Sequence, residues 1–365
     1  MKKILMIASE ASHFKNFHVP YIKHLKEQGI EVYTASKGEF SEADTVHTEL
    51  GLKKKLFHIG NIGVILSISR LIRTSGIDSV YTNSTLAGFV GRAAVILSRK
   101  KSVRTVHICH GYLFSDDGSL RSRVYLFFEM LVRKRTDLLA VMNKEDLSIA
   151  EKHRLGKRIV FINGMGVPPA RFPELSAKDA ANMRDSLKKE GENTLFLCVG
   201  EFSERKNQRE IIEAFSRLPP QKLEKCRLML AGEGQLTESC KALADRLGLS
   251  GKITFLGHFD DMNLLYRSCD CLISASRFEG LPFNVMEALY CGEDIIVSDV
   301  KGNRDLCTDH TGSSYPYGDV GKLSELMSRR AESVNANTCR LEEKYLLQNV
   351  VPDNLQKLYG TAEQR

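Results

Sequence analysis

No stretch of the 365-residue chain reaches the roughly 18 apolar residues that a helix needs to cross a bilayer. The opening MKKILMIAS carries two lysines, but its apolar run is too short for a signal peptide and gives way to EASHFKN. None of the nine cysteines forms a Cys-x-x-Cys pair, the closest two being Cys269 and Cys271. That argues against a disulfide framework and against a zinc site, and fits a reducing compartment. The loop after the first apolar run lacks Gly-x-Gly-x-x-Gly, which argues against a nicotinamide or flavin dehydrogenase. There is no Asp-x-Asp pair to hold a metal, so no metal and no cofactor are expected, and no low-complexity segment occurs. The expected location is the cytoplasm, with peripheral contact on the inner face of the cell membrane still open.

Hydrophobic and charged residues make up 42% and 27% of the chain, as in an ordinary globular protein, and the length suggests two domains. The net charge of +7 is moderate, so the placement of the basic residues matters more than their number. Short apolar runs alternate with helical patterns throughout. In the first half the expected strands are 3–9, 30–36, 78–84, 103–110, 137–143 and 158–164, with a helix at 17–28. In the second they are 195–200, 227–232, 252–257, 270–276 and 294–300, with helices at 207–217, 236–247, 261–268, 283–291 and 319–331. This pattern predicts an α/β fold of two Rossmann-like, doubly wound parallel sheets. The expected domains are 1–165 and 170–340, joined by NGMGVPPARFPEL (163–175) with its two glycines and three prolines. A terminal helical stretch, within about 341–365, is expected to pack back on the first domain.

Ligands of open parallel sheets bind beyond the carboxyl ends of the strands, so the loops there carry the chemistry. In VGEFSERKNQREIIEAF (199–215), Arg205 and Lys206 fall just before a helix that starts near Asn207. Two cations and free helix-end amides suit a phosphate or diphosphate, although a solvated basic turn looks the same in sequence. In SRFEGLPFNVMEALYCG (276–292), Glu279 precedes the turn Gly280-Leu281-Pro282, and Glu287 lies about one turn into the next helix. A carboxylate can accept two hydrogen bonds from a vicinal diol, so both acids are candidates for polyol contact. The alternative for Glu287 is a plain surface position. His110, in VHICHGYLF (106–114), is a candidate for donating to a hydroxyl or phosphate, against the commoner structural histidine. His107 ranks below it. His13, Lys15, Asn16 and His18, in SEASHFKNFHVP (9–20), are candidate contacts for an acceptor.

Taken in order, VGEFSERKNQREIIEAF, FLG (255–257) and SRFEGLPFNVMEALYCG resemble the second domain of family 4 retaining glycosyltransferases of the GT-B fold. HGYLF and NKEDLSIAEKHRLGK resemble bacterial members that build capsule, exopolysaccharide or related surface glycans. The resemblance implies two domains facing a cleft, the first binding acceptor and the second a nucleotide sugar, with UDP the expected nucleotide. It implies that Lys206 with Arg205 and Asn207 holds the donor diphosphate, and that Glu279 binds the sugar ring. Gly280, Leu281 and Pro282 would meet the phosphates, Glu287 the ribose, and Gly257 and His258 the base. His110 would lie by the transferred sugar, making His110, Lys206 and Glu279 the catalytic set. Glu201 departs from the arginine that many members carry, which leaves more of the diphosphate charge to Arg205 and Lys206. The implied reaction moves a hexose or N-acetylhexosamine, with retention and without metal, to a polyprenyl-diphosphate-linked saccharide. Its rivals are a UDP-sugar epimerase of the same fold and a non-catalytic nucleotide-sugar-binding partner subunit.

Basic residues cluster at Arg121, Arg123, Arg133, Lys134 and Arg135 around an apolar centre, and again in SRKKSVR (98–104). A basic amphipathic helix can lie on an anionic membrane, and a core helix with charged ends is the alternative. Nucleic acid is not an expected partner, because no stacking motif or recognised binding module accompanies the charge.

Overall fold

The computed structural model describes residues 2–42, 45–53, 58–332 and 340–360. The chain divides into two compact units, Met1–Gly166 with Leu347–Arg365, and Val167–Leu346.

The first unit is built on seven parallel strands: β1 (Lys3–Glu10), β2 (Glu31–Lys37), β3 (Val46–Glu49), β4 (Ser79–Asn83), β5 (Arg104–Ile108), β6 (Leu138–Val141) and β7 (Arg158–Phe161). Their order is β3-β2-β1-β4-β5-β6-β7. The connections therefore run one way from β1 to β3 and the other way from β4 to β7, and the order reverses between β1 and β4. The central strands are apolar on both faces, because helices cover both. Leu5, Ile7 and Val80 pack with Val64, Ile68, Val90 and Ala94 on one side. Cys109, Leu139 and Val141 pack with Tyr112, Ile149 and Leu155 in a second cluster.

Five helices matter below: α1 (Ala11–Phe17), α2 (Val19–Glu27), α3 (Gly60–Thr74), α4 (Thr85–Ser98) and α5 (Leu120–Val132). The helix expected at 17–28 is α2, and the expected loop at 9–20 is largely helical because α1 precedes it. Pro20 explains the break between the two. It lacks an amide hydrogen, so the second helix starts afresh around it, with His18 at the joint. Two short strands also escaped the sequence reading. β3 is an edge strand of four residues, and its second-unit counterpart GSSY is polar, so neither shows an apolar run.

The second unit has six parallel strands: β8 (Thr194–Val199), β9 (Cys226–Ala231), β10 (Ile253–Gly257), β11 (Cys271–Ser274), β12 (Asp294–Ser298) and β13 (Gly312–Tyr315). Their order is β10-β9-β8-β11-β12-β13, so the reversal lies between β8 and β11. The helix Gln208–Ser216 buries Ile211, Ile212, Ala214 and Phe215, and these join Phe196, Leu228, Leu230 and Ile273 in one core.

Residues 340–346 stay with the second unit, where Leu346 bridges Val167 and the Leu341 amide donates to the Leu289 carbonyl. The helix after them is shorter than the expected stretch. Leu347–Asn354 is α-helical with Pro352 inside it, Leu355–Tyr359 widens into a π turn, and residues 361–365 lie outside the described residues. Tyr359 stacks on Tyr81 at 4.5 Å between ring centroids, and the Tyr81 hydroxyl donates to the Leu358 carbonyl.

Candidate functional site

In the second unit, the loops after β8 and β11 flank the reversal of strand order, the place where open α/β sheets bind ligands. The β8 loop brings Arg205 and Lys206, and the β11 loop brings Glu279. One oxygen of Glu279, Oε1, accepts from Arg205 Nη1 at 2.7 Å, from Lys206 Nζ at 2.7 Å and from the Ser276 hydroxyl at 2.8 Å. Burial pushes the Glu279 carboxyl up, but the Lys206 and Arg205 charges outweigh it and hold the group below the usual range. The carboxylate is nearly sealed from solvent at 8% exposure, whereas the Arg205 side chain is 36% exposed. Cations of this kind can turn from a carboxylate to another anion.

The backbone is shaped to let these groups meet. Gly232 has φ 127°, and a Cβ there would lie 2.2 Å from the Gly200 carbonyl oxygen. Gly302 likewise lies against the turn after Glu279, where a Cβ would come within 2.6 Å of the Gly280 carbonyl. The Arg277 amide donates to the Arg205 carbonyl at 2.8 Å, and Asn284 Nδ2 to the Val199 carbonyl at 2.9 Å. The two loops are therefore tied to each other by main-chain and side-chain bonds. Asn207 is the residue that caps the helix Gln208–Ser216; it is left-handed at φ 53°, and its amide donates to Glu210. Pro282 precedes the helix Phe283–Tyr290, and Leu281 is buried beside it.

Glu287 lies elsewhere in hydrogen-bonding terms. It is half-buried and accepts from the Tyr266 hydroxyl at 3.0 Å. Burial pushes its carboxyl up, against the pull of the Tyr266 bond and the Arg171 charge. A wet helix face does not describe it. Gly257 is left-handed at φ 65°, 3.4 Å (taken from an added Cβ) from Glu233 Oε1. His258 is exposed and pairs with Asp260 at 3.3 Å. Ser276 and Tyr266, which orient the two acids, were not singled out from sequence. A serine three residues before Glu279 was the only available signal, and Tyr266 gave none.

In the first unit, the structure brings His13, His18 and His110 together. Ring centroids of His13 and His110 are 4.5 Å apart, and those of His13 and His18 are 5.1 Å apart. His18 is completely buried. Nε2 of His13, both ring nitrogens of His18 and Nε2 of His110 are shielded from solvent without a hydrogen-bond partner. Burial pushes the His13 imidazole down to about 4, and burial first, then the neighbouring imidazoles, puts His18 and His110 well below their usual range. All three are neutral at physiological pH. Lys15 and Asn16, expected beside them, are instead exposed on α1. His107 is structural: it is buried in β5, hydrogen-bonds Thr82 Oγ1 at 3.0 Å and packs its ring against Gly88.

Two doubly wound units of wholly parallel strands are the architecture of the GT-B fold. Sucrose-phosphate synthase from Thermosynechococcus elongatus has the same fold, with a TM-score of 0.78 at 18% identity over 98% of both chains. Anabaena HepE in complex with UDP superposes with a TM-score of 0.71 at 17% identity, covering 98% of this chain and 95% of that one. Residues 179–334, within the second unit, match the model of the family "Glycosyl transferases group 1". In sequence the chain is similar to "Putative glycosyltransferase EpsD" of Bacillus subtilis (strain 168), 29% identical over 91% of this chain and 87% of the relative. It is also similar to the UDP-Gal:alpha-D-GlcNAc-diphosphoundecaprenol alpha-1,3-galactosyltransferase of Escherichia coli, 26% identical over 66% of this chain and 63% of the relative.

Proposed function

We propose that this glycosyltransferase moves a hexose or N-acetylhexosamine from a UDP-sugar, with retention of configuration, to a lipid-linked saccharide during surface polysaccharide synthesis. The observation that carries the reading is the convergence of Arg205 and Lys206 on Glu279 at the strand reversal of the family-matched unit. The diphosphate of a leaving UDP gathers negative charge as the sugar departs. Two preset cations stabilise that charge without reorganising, which is where such sites gain most of their rate. The incoming diphosphate competes with Glu279 for the cations, and the freed carboxylate accepts hydrogen bonds from the sugar hydroxyls. The departing phosphate takes the acceptor's proton, so no metal is assigned a step here. Glu287 serves the ribose, and Gly257 and His258 the base.

The acceptor class is supported by the Escherichia coli relative, whose name specifies a diphosphoundecaprenol-linked acceptor. It is supported too by α5, which exposes Leu120, Phe127 and Leu131 beside Arg121 and Arg123. Such a face suits an anionic membrane, where a lipid-linked acceptor resides.

Charge reversal tests the donor site. Lys206→Glu is expected to abolish sugar transfer, and the milder Lys206→Gln to weaken UDP binding about ten- to a hundredfold, the worth of one hydrogen bond to a charged group. Glu279→Ala is expected to slow transfer more than it weakens UDP binding. Unchanged UDP affinity by calorimetry in both lysine variants removes Lys206 from the site. A new epimeric UDP-sugar formed without acceptor would instead point to an epimerase. UDP binding with no transfer until a partner protein is added would point to a non-catalytic subunit.

A further inference from the structure

We infer that His13, His18 and His110 form a binding site for a divalent transition metal of the zinc class. The site lies wholly in the first unit and is additional to the donor site, so it stands or falls separately from the function proposed above.

The geometry has three parts. One ring nitrogen from each histidine lies within 4.8 Å of the other two. A tetrahedral metal holding imidazoles at 2.0–2.1 Å sets its nitrogens roughly 3.4 Å apart, so small ring rotations suffice to close the set. Second, the nitrogens are short of partners. Four of the six are shielded from solvent without a hydrogen bond, including both of the fully buried His18. A buried polar atom left unpaired costs about 1–3 kcal/mol, so a cluster of four needs an explanation. Side chains serving only as apolar filler would more cheaply be phenylalanine or leucine. Third, the supports are firm. His13 sits on α1 directly after β1, His18 is fixed at the joint made by Pro20, and His110 follows β5. Two strand ends and a helix joint hold the rings, while Phe14 and Phe17 wall them in.

The donor set decides the class of cation. Three neutral imidazoles without a carboxylate disfavour magnesium and calcium, which take oxygen ligands, and favour zinc, nickel, cobalt(II) or copper(II). Three protein ligands also leave a tetrahedral metal one open position, which a water or a ligand oxygen can take.

Zinc and cobalt(II) are the probes. Protein stripped with chelator is expected to bind one equivalent of zinc by calorimetry and to melt several degrees higher in its presence. Cobalt(II) is expected to give the visible absorption of a tetrahedral nitrogen site, without the near-ultraviolet charge-transfer band of a thiolate. His13→Gln and His18→Gln should each lose that binding at least a hundredfold, while His24→Gln, a half-buried position on α2 outside the cluster, should keep it. Because His18→Gln alters a fully buried position, nitrogen-15 imidazole spectra of the unmutated chain supply a check that does not depend on folding of a variant. Three imidazoles should shift together at one equivalent of zinc. The inference is overturned if no stoichiometric binding occurs, if a thiolate band appears, or if the His13 and His18 variants bind as tightly as the wild type.

Discussion

A buried imidazole resists protonation because the charged form would lose its water. For His13 that pushes the group down to about 4 in the folded chain, against about 6.5 when unfolded. The unfolded chain therefore binds more protons through that interval, and stability rises with pH across it. Read downward, stability begins to fall near pH 6.5 and goes on falling to about pH 4. The full loss from His13 alone is on the order of 3 kcal/mol at about 1.4 kcal/mol per pH unit. His18 and His110, displaced in the same direction, add to it. With chelator present, melting of the first unit should drop steeply between these limits, and His13→Gln should flatten the slope. An identical slope in the variant would show that some other group governs acid sensitivity. The opposite arrangement holds at Glu279, whose carboxyl stays charged below its usual range because Lys206 and Arg205 outweigh the cost of burial. One residue is kept neutral by isolation, the other charged by company.

At the scale of elements, α5 is an amphipathic helix turned inside out. At 100° per residue, Leu120, Val124, Phe127 and Leu131 share one face, and that face is exposed. The opposite face holds Ser122, Glu129 and Val132, all buried. Glu129 accepts two bonds from Arg92 of α4, at 2.8 and 2.9 Å, with both side chains sealed from solvent. This bidentate pair fixes which face points inward, since breaking it would strand a buried charge. Periodicity alone could not have told the two faces apart, because charged residues occur on both. That is why the sequence left a lipid-facing helix and a core helix as equal alternatives. Phe127→Glu is expected to abolish co-sedimentation with vesicles containing anionic lipid while leaving the melting temperature within a degree or two. If the variant sediments as the wild type does, the apolar face has another purpose.

The same contrast runs through the whole molecule. The alternation of apolar runs and helical patterns was enough to read two doubly wound sheets, because strands covered on both faces leave an unmistakable run of buried residues. VGEFSERKNQ and SRFEGLP were legible as ligand loops because each follows such a run, and the strand order now puts both at one reversal. What the sequence hid was the gathering of the three histidines, which depends on a proline restarting a helix and on β1 and β5 lying in the same sheet. It also hid the contacts that hold the terminus. The chain leaves the first unit at Gly166, builds the second, and returns at Leu347 to complete the first. The returning segment is part of the first unit's core. Tyr359 stacks on Tyr81, Leu358 is fully buried, and Asn354 Nδ2 donates to the Tyr21 hydroxyl and the Gly164 carbonyl, both at 2.9 Å. A chain ending at residue 346 should therefore keep its second-unit transition in calorimetry but melt earlier in the first. Tyr359→Ala isolates one contact, and because Tyr359 is half-buried it should cost less than the roughly 3–5 kcal/mol of a fully buried aromatic. If truncation and substitution both leave the first transition where it was, the returning helix is only a tether.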